Sequence, residues 1–188
     1  MTTLTPLEID GAWLLEPSRH ADERGWFEEW FKKSFTVRVT GYFFEPVQAN
    51  ISKSSSGVIR GIHYSTAPHG QGKLVTVMNG AINDYVVDLN PSSPTYGKWV
   101  TRELTAENGL AMLIGPHMGH AFQALSDDTV VSYLVTAEYD PVSEKAISPY
   151  CPQIGIQWHP SLPAMVSEKD RMAPTLEEQQ LADELPLQ

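Results

Sequence analysis

Residues 73–89 read Lys73-Leu-Val-Thr-Val-Met-Asn-Gly-Ala-Ile-Asn-Asp-Tyr-Val-Val-Asp-Leu89. Two apolar-rich runs flank Asn79-Gly80, the pair best suited to a type I′ turn, in which both central residues take positive φ. The stretch predicts a two-residue β-hairpin pairing Val77 with Ile82, Val75 with Asp84 and Lys73 with Val86. Because strand side chains alternate, Lys73, Val75, Val77, Ile82, Asp84 and Val86 then share one face. That face is apolar except for Lys73 and Asp84, which the pairing sets diagonally near each other.

Working outward, short strand-like segments recur: Ala12–Glu16, Trp26–Phe31, Phe43–Asn50, Val58–Tyr64, Trp99–Leu104, Leu110–Ile114, His120–Leu125 and Val130–Tyr139. Turn-forming stretches such as Asp22-Glu-Arg-Gly25, Asn90-Pro-Ser-Ser-Pro94 and Ser126-Asp-Asp128 separate them. Many short strands with few helical patterns predict an all-β sandwich or barrel. A helix is expected only near the C-terminus, at Pro174–Leu185, where Thr175 is a plausible N-cap. No repeat or composition shift divides the chain, so residues 1–188 read as a single domain.

The chain has 188 residues, 41% apolar and 19% charged, long enough to bury a sizeable core. A net charge of −10 argues against broad nucleic-acid or anionic-membrane binding. It leaves room for an anionic small molecule wherever basic residues dominate a pocket. Cys151 is the sole cysteine, which excludes an internal disulfide and a cysteine-based zinc site. Residues 1–8 show neither a basic nor an apolar leader region, and no apolar run is long enough to span a bilayer. A cytoplasmic protein is expected.

Several apolar strands carry polar side chains that a packed core rarely holds without partner or task. Gly57-Val-Ile-Arg-Gly-Ile-His-Tyr64 holds Arg60 and His63; Tyr133 lies in Val130–Val135, His120 opens His120–Leu125, and Gln48 and Asn50 close Phe43–Asn50. Each alone is compatible with a satisfied core group. Together, on strands lining one interior, they outline a concave site. Cupin-type metal sites use a His-x-His pair, a nearby Glu and a later His. Here Tyr64-Ser65 follows His63, His69 sits in the loop-like Thr66–Gly70, and His117 and His120 fall on opposite strand faces. A metal needs three or four ligands converging on one point, and this spacing lacks the second histidine of the pair.

The collinear stretches Asp22–Glu29, Gln48–Tyr64, Lys73-Leu-Val75, Val86–Gly97, Gly119-His-Ala-Phe122 and Ser167-Glu-Lys-Asp170 resemble those of the dTDP-4-dehydrorhamnose 3,5-epimerases. The resemblance implies an all-β, cupin-like antiparallel β-barrel (jelly roll) with a few short helices near the C-terminus. It also implies a homodimer without metal or cofactor, acting on a dTDP-4-keto-6-deoxy sugar. Carried over by position, His63 is the base, Asp170 its orienting partner, Lys73 the enolate-stabilising and substrate-binding cation, and Tyr133 the opposing acid. Arg24, Glu29, Gln48, Asn50, Arg60, His120, Glu144 and Lys169 correspond to substrate-binding positions.

The chemistry fits these residue types. Epimerisation beside a ketone needs a proton removed from one face and returned to the other, which a carboxylate-oriented histidine can begin. A cation in a dry interior stabilises the enolate oxygen, and on this reading Asp84 keeps Lys73 charged and oriented. Arg60 suits a diphosphate, and Phe27, Trp30 or Tyr139 could support the nucleobase. For Arg60 and His63 to serve one site, a bulge at Gly61 must turn both inward, or Arg60 must reach a partner subunit. Family members often carry Pro-x-Gly-x-x-His-Gly-Phe, whereas this chain has Gly115-Pro-His-Met-Gly-His-Ala-Phe122, with His117 and Ala121 in glycine positions. Placed beside the sugar, these changes would favour the alternative of a 3- or 5-monoepimerase from an antibiotic-sugar pathway. A metal-dependent oxygenase or a non-catalytic sugar-nucleotide-binding cupin is the reading from another class.

Overall fold

The computed structural model describes residues 2–40, 43–68 and 70–186. His69, read above as a loop residue, lies outside them. The N-terminal part supplies β1 (Thr3–Pro6), β2 (Ala12–Glu16), β3 (Arg19–Asp22), β4 (Gly25–Glu28), α1 (Lys33–Thr40), β5 (Gln48–Ser54) and β6 (Val58–Ser65). Then come β7 (Lys73–Asn79), β8 (Ala81–Asp88), β9 (Trp99–Thr105), β10 (Ala111–Ile114), β11 (Met118–Ala124) and β12 (Thr129–Val135). The C-terminal part adds β13 (Glu144–Ala146), β14 (Met165–Val166), α2 (Glu168–Arg171) and α3 (Leu176–Leu181).

Two sheets face each other in an all-β, jelly-roll-like sandwich. One has the order β1-β2-β10-β7-β12-β5 and the other β13-β6-β11-β8-β9, while β3 and β4 form a separate ribbon. The pairings are antiparallel except that β14 runs parallel along the first half of β6, Met165 opposite Val58 and Val166 opposite Ile59.

The expected hairpin at Asn79-Gly80 is not there. Strand β7 pairs with β10 and β12, and β8 pairs with β11 and β9, so Asn79-Gly80 is a corner between the sheets. The turn chemistry is real but local: Gly80 takes φ +79, and a Cβ there would meet Thr129 Oγ1 at 2.5 Å. The Asn79 amide donates to the Asp128 carbonyl at 2.8 Å. Alternation still puts Val75, Val77, Ile82 and Val86 in one core, but they meet across the interior rather than across a hairpin. Lys73 and Asp84 are therefore on facing sheets.

Three apolar layers explain why the strands read as nearly continuous hydrophobic runs. Between the sheets lie Val75, Val77, Met112, Ile114 and Val131 from one side and Ile82, Val86, Leu104, Met118 and Phe122 from the other. The outer face of the β11-containing sheet (Tyr64, Tyr85, Val87, Ala121) is covered by Ile147, Cys151, Ile154, Ile156 and Leu176 of the C-terminal segment. The outer face of the β7-containing sheet (Leu15, Leu74, Leu113) is covered by Trp30, Phe31, Phe35 and Phe44.

This last layer corrects two expectations. Residues 43–47 are not strand; Phe44 is fully buried with its ring edge-on to Phe31 at 5.7 Å, and β5 starts only after Pro46, at Gln48. Helix α1, unexpected from its modest pattern, lies in the same covering segment. At the other end, α3 begins at Thr175 as predicted. The Thr175 hydroxyl accepts the Glu178 N–H at 3.3 Å, and Glu178 Oε2 accepts the Thr175 N–H at 2.8 Å, a capping box.

Candidate active site

Register decides which side chains meet. On β11, His120 and Phe122 lie two apart on the inner face, opposite His63 and Arg60 respectively. Strand β6 thus uses Gly61 and Ile62 against Ala121 alone, a bulge that turns both Arg60 and His63 inward. Only glycine fits the bulge: Gly61 has φ +118, and a Cβ would sit 2.5 Å from the His120 carbonyl oxygen.

The two inner faces open into a cleft of about 360 Å³. One wall carries Gln48, Asn50 and Ser52 from β5, Lys73 from β7 and Tyr133 from β12; the facing wall carries Arg60, His63, His120, Phe122 and Glu144. Gln71, Tyr139 and Lys169 also line it. An adjoining groove of about 430 Å³ shares Arg60, His63 and Lys169 and continues along Met165–Ser167.

His63 is half-buried, and its Nε2 lies 2.8 Å from Asp170 Oδ1. Asp170 comes alongside because β14 pairs with β6 and delivers the chain directly into α2, whose N-cap, Ser167, accepts the Asp170 N–H at 3.1 Å. Burial alone would raise the Asp170 carboxyl, but the His63 hydrogen bond and charge, with help from the Gly61 N–H and Ser167, hold it below its ordinary value. A carboxylate only accepts, so the proton of a neutral His63 ring sits on Nε2 and Nδ1 is left basic.

Lys73 is 5% exposed, and burial pushes its ammonium down to about 8 against the opposing pull of Glu144. Its hydrogen-bond partner is Gln71 Oε1. The expected Lys73–Asp84 pairing is absent, because the corner at Asn79-Gly80 separates β7 from β8. Asp84, wholly buried, instead meets His120 Nε2 at 2.7 Å. Burial raises its carboxyl even so, against the charge and hydrogen bond of His120, and its Oδ2 has no partner among the described residues. Burial likewise raises the Tyr133 phenol, reinforced by Glu144 and opposed by Arg60, so that it holds its proton.

The cleft brings together Gln48, Asn50, Arg60, His63, Lys73, His120, Tyr133, Glu144 and Lys169, with Asp170 behind His63. Gln48 bridges Asn50 Oδ1, at 2.8 Å, and the Tyr139 N–H, at 2.9 Å. Arg60 is steadied by Ser54 Oγ at 3.1 Å and the Lys53 carbonyl at 3.2 Å. Two predicted residues lie elsewhere. Arg24 is highly exposed at the β3–β4 turn, paired with Asp22, and Glu29 pairs with Lys32 beside a different groove. Of the three stacking candidates, Tyr139 is at the cleft; Phe27 is exposed on β4, and Trp30 packs against the outer face of the other sheet.

The two departures, His117 just before β11 and Ala121 within it, do not line the cleft. His117 lines a separate groove with Asp10, Asp88 and Ser93, and Ala121 is buried in the outer core layer. Sequence reading placed them beside the sugar; the alternation of β11 turns Ala121 away from His120 and Phe122. It also missed Gln71, whose sole sequence signal is its place two residues before Lys73. Among the described residues no group of three or more His, Cys, Asp or Glu side chains could hold a metal ion. None of the described helices is long and apolar enough to cross a membrane.

The sequence profile of the family described as dTDP-4-dehydrorhamnose 3,5-epimerase matches residues 6–178. Over 185 residues the chain is 40% identical to a dTDP-4-dehydrorhamnose 3,5-epimerase of Mycolicibacterium smegmatis, covering 98% of this chain and 90% of that one. It is 39% identical to a dTDP-4-dehydro-6-deoxyglucose 3-epimerase of Streptomyces bikiniensis, covering 91% of this chain and 87% of that one. It superposes with a TM-score of 0.93 and 35% identity on the dTDP-6-deoxy-D-glucose-3,5-epimerase of Legionella pneumophila, crystallised with dTDP-4-keto-L-rhamnose, covering 100% and 99% of the two chains. The chain belongs to the dTDP-4-dehydrorhamnose 3,5-epimerase family.

Proposed function

We propose that the protein epimerises a dTDP-4-keto-6-deoxyhexose at C3 and C5, with His63, Lys73, Tyr133 and Asp170 as its working groups. One observation carries this reading: a carboxylate-oriented histidine on one sheet faces a proton-holding tyrosine on the other, with a buried cation on the tyrosine's side. Inversion at carbon needs that disposition, because the proton leaves one face and another enters the opposite face.

His63 Nδ1 takes the proton from the carbon beside the C4 ketone. The C–H pair becomes the C=C bond, and the carbonyl π pair moves onto oxygen as an enolate. The Lys73 ammonium stabilises that oxygen, an effect of roughly 3 kcal/mol for comparable donors. Tyr133 then gives its proton to the opposite face of the carbon, the C=O reforms, and solvent takes the proton held by His63 and returns the phenolic one to Tyr133. C3 and C5 both flank C4, so one enolate oxygen and one cation serve both centres. Arg60 and Lys169, at the junction of cleft and groove, suit the diphosphate, and the exposed Tyr139 ring suits the nucleobase. Proton exchange in dTDP-4-keto-6-deoxyglucose, followed by NMR, tests this reading.

The active form on this account is a homodimer. Arg24 sits on a β3–β4 ribbon that also exposes Trp26 and Phe27, at 55% and 65%, away from its own cleft. A large exposed aromatic pair beside a cation fits a partner's cleft better than solvent. The three core layers share the same two sheets, which supports one domain throughout. A cytoplasmic setting accords with Cys151, a buried free thiol.

A further inference from the structure

Lys73 is an unusual cation. Among the described residues no carboxylate pairs with it, and its ammonium donates to one neutral oxygen, Gln71 Oε1. Among the described residues Gln71 Oε1 is the one acceptor of its three N–H donors. A buried ammonium so poorly partnered is costly, and the cost is recovered when a negative oxygen arrives.

Gln71 is 4% exposed and fully engaged. Its Nε2 donates to the Ala137 carbonyl at 3.0 Å and to Glu144 Oε1 at 3.0 Å. With both amide protons consumed, the amide has one orientation, and its oxygen must face Lys73. The backbone is held on either side: Gln71 N–H donates to the Pro116 carbonyl at 3.3 Å, and Gly72 N–H to Thr136 Oγ1 at 2.8 Å. The amide therefore stands between Lys73 and Glu144, keeping the carboxylate one hydrogen bond away from the ammonium.

We propose that Gln71 is a positioning residue that aims the Lys73 ammonium at the substrate oxygen while keeping it free of an ionic partner. The role rests on Lys73 as the enolate-stabilising group. A carboxylate at position 71 would neutralise the cation and blunt it; an apolar side chain would leave it unheld. The groups facing this corner of the cleft are Tyr133 from β12, Glu144 and Lys145 from β13, Arg60 and His63 from β6, and His120 from β11. None of them supplies Lys73 with a closer acceptor.

The test is the pH dependence of kcat and kcat/KM for Gln71→Glu, which is isosteric, and Gln71→Asn, which is too short to reach Lys73, with Lys73→Met as reference. For Gln71→Glu the alkaline limb should move up by about one pH unit and kcat fall about tenfold, with dTDP affinity unchanged. For Gln71→Asn the limb should move below that of the wild type. A residue with a purely structural role would lower stability and leave the limb in place. An unmoved limb in either folded variant, with Lys73→Met inactive, overturns the role of Gln71 alone. A Lys73→Met enzyme as fast as wild type overturns the enolate reading beneath it.

Discussion

His63 Nε2 lies 2.8 Å from Asp170 Oδ1, with the carboxylate 5% exposed behind a ring that opens onto the cleft. On the proposed mechanism this contact leaves His63 Nδ1 to act as the base and makes Asp170 its orienting group. His63→Asn should lower epimerisation by about 10²–10⁴-fold, the range for a positioned general base, while dTDP binding measured by calorimetry stays within a few-fold. Asp170→Asn should lower kcat with little change in KM. Tyr133→Phe should fail differently, since the base on the other wall is intact: deuterium still washes in, but with retention.

Lys73 predicts a pH dependence of both activity and stability. On the proposed mechanism the ammonium is the form that stabilises the enolate, so kcat/KM should fall as pH rises through about 8. For stability the sign is opposite. Between about 8 and its ordinary value of 10.5 the folded protein binds fewer protons at this site than the unfolded chain, so stability rises with pH across that window. The gain from this group is about 3 kcal/mol, and it should be missing from Lys73→Met in urea titrations at several pH values.

Gly61→Ala should destabilise the fold by at least about 1–3 kcal/mol, because a side chain at φ +118 is strained and its Cβ would strike the His120 carbonyl. Gly25→Ala makes a control: φ is +130, but nothing lies within 4 Å of the added Cβ. Thermal unfolding should show the larger loss at Gly61, accompanied by lower activity as Arg60 and His63 lose alignment. Equal losses at the two sites would remove the packing role of the bulge.

If the β3–β4 ribbon serves a partner's cleft, two inactive variants should complement each other. Mixing Arg24→Glu with His63→Asn subunits and letting them reassociate gives mixed dimers with one intact site. Activity should return to about a quarter of wild type, since half the dimers are mixed and each has one working site of two. No recovery after verified exchange would place Arg24 outside any shared site.

The strands and the polar groups on their inner faces were legible because alternation is a local property, and His63 and Tyr133 each sit on an apolar strand. Pairing was not legible. Asn79-Gly80 turns the chain equally well within a sheet or between two, and only the non-local pairing of β7 with β10 and β12 decides. The same limit misplaced Asp84 as the partner of Lys73, whereas Ala121 is turned away from His120 by simple alternation along β11. Asp170 came from resemblance; its delivery by the two-residue strand β14 leaves no periodic trace. Gln71 precedes its strand and carries no pattern, so its role emerged only from its hydrogen bonds.

The most direct test is turnover of dTDP-4-keto-6-deoxyglucose in D₂O, read by NMR. The account predicts deuterium at both C3 and C5 in the wild-type protein and at neither in His63→Asn. Deuterium at one carbon alone would contradict epimerisation at both centres, and none at either carbon with folded wild-type protein would contradict the enolate mechanism itself.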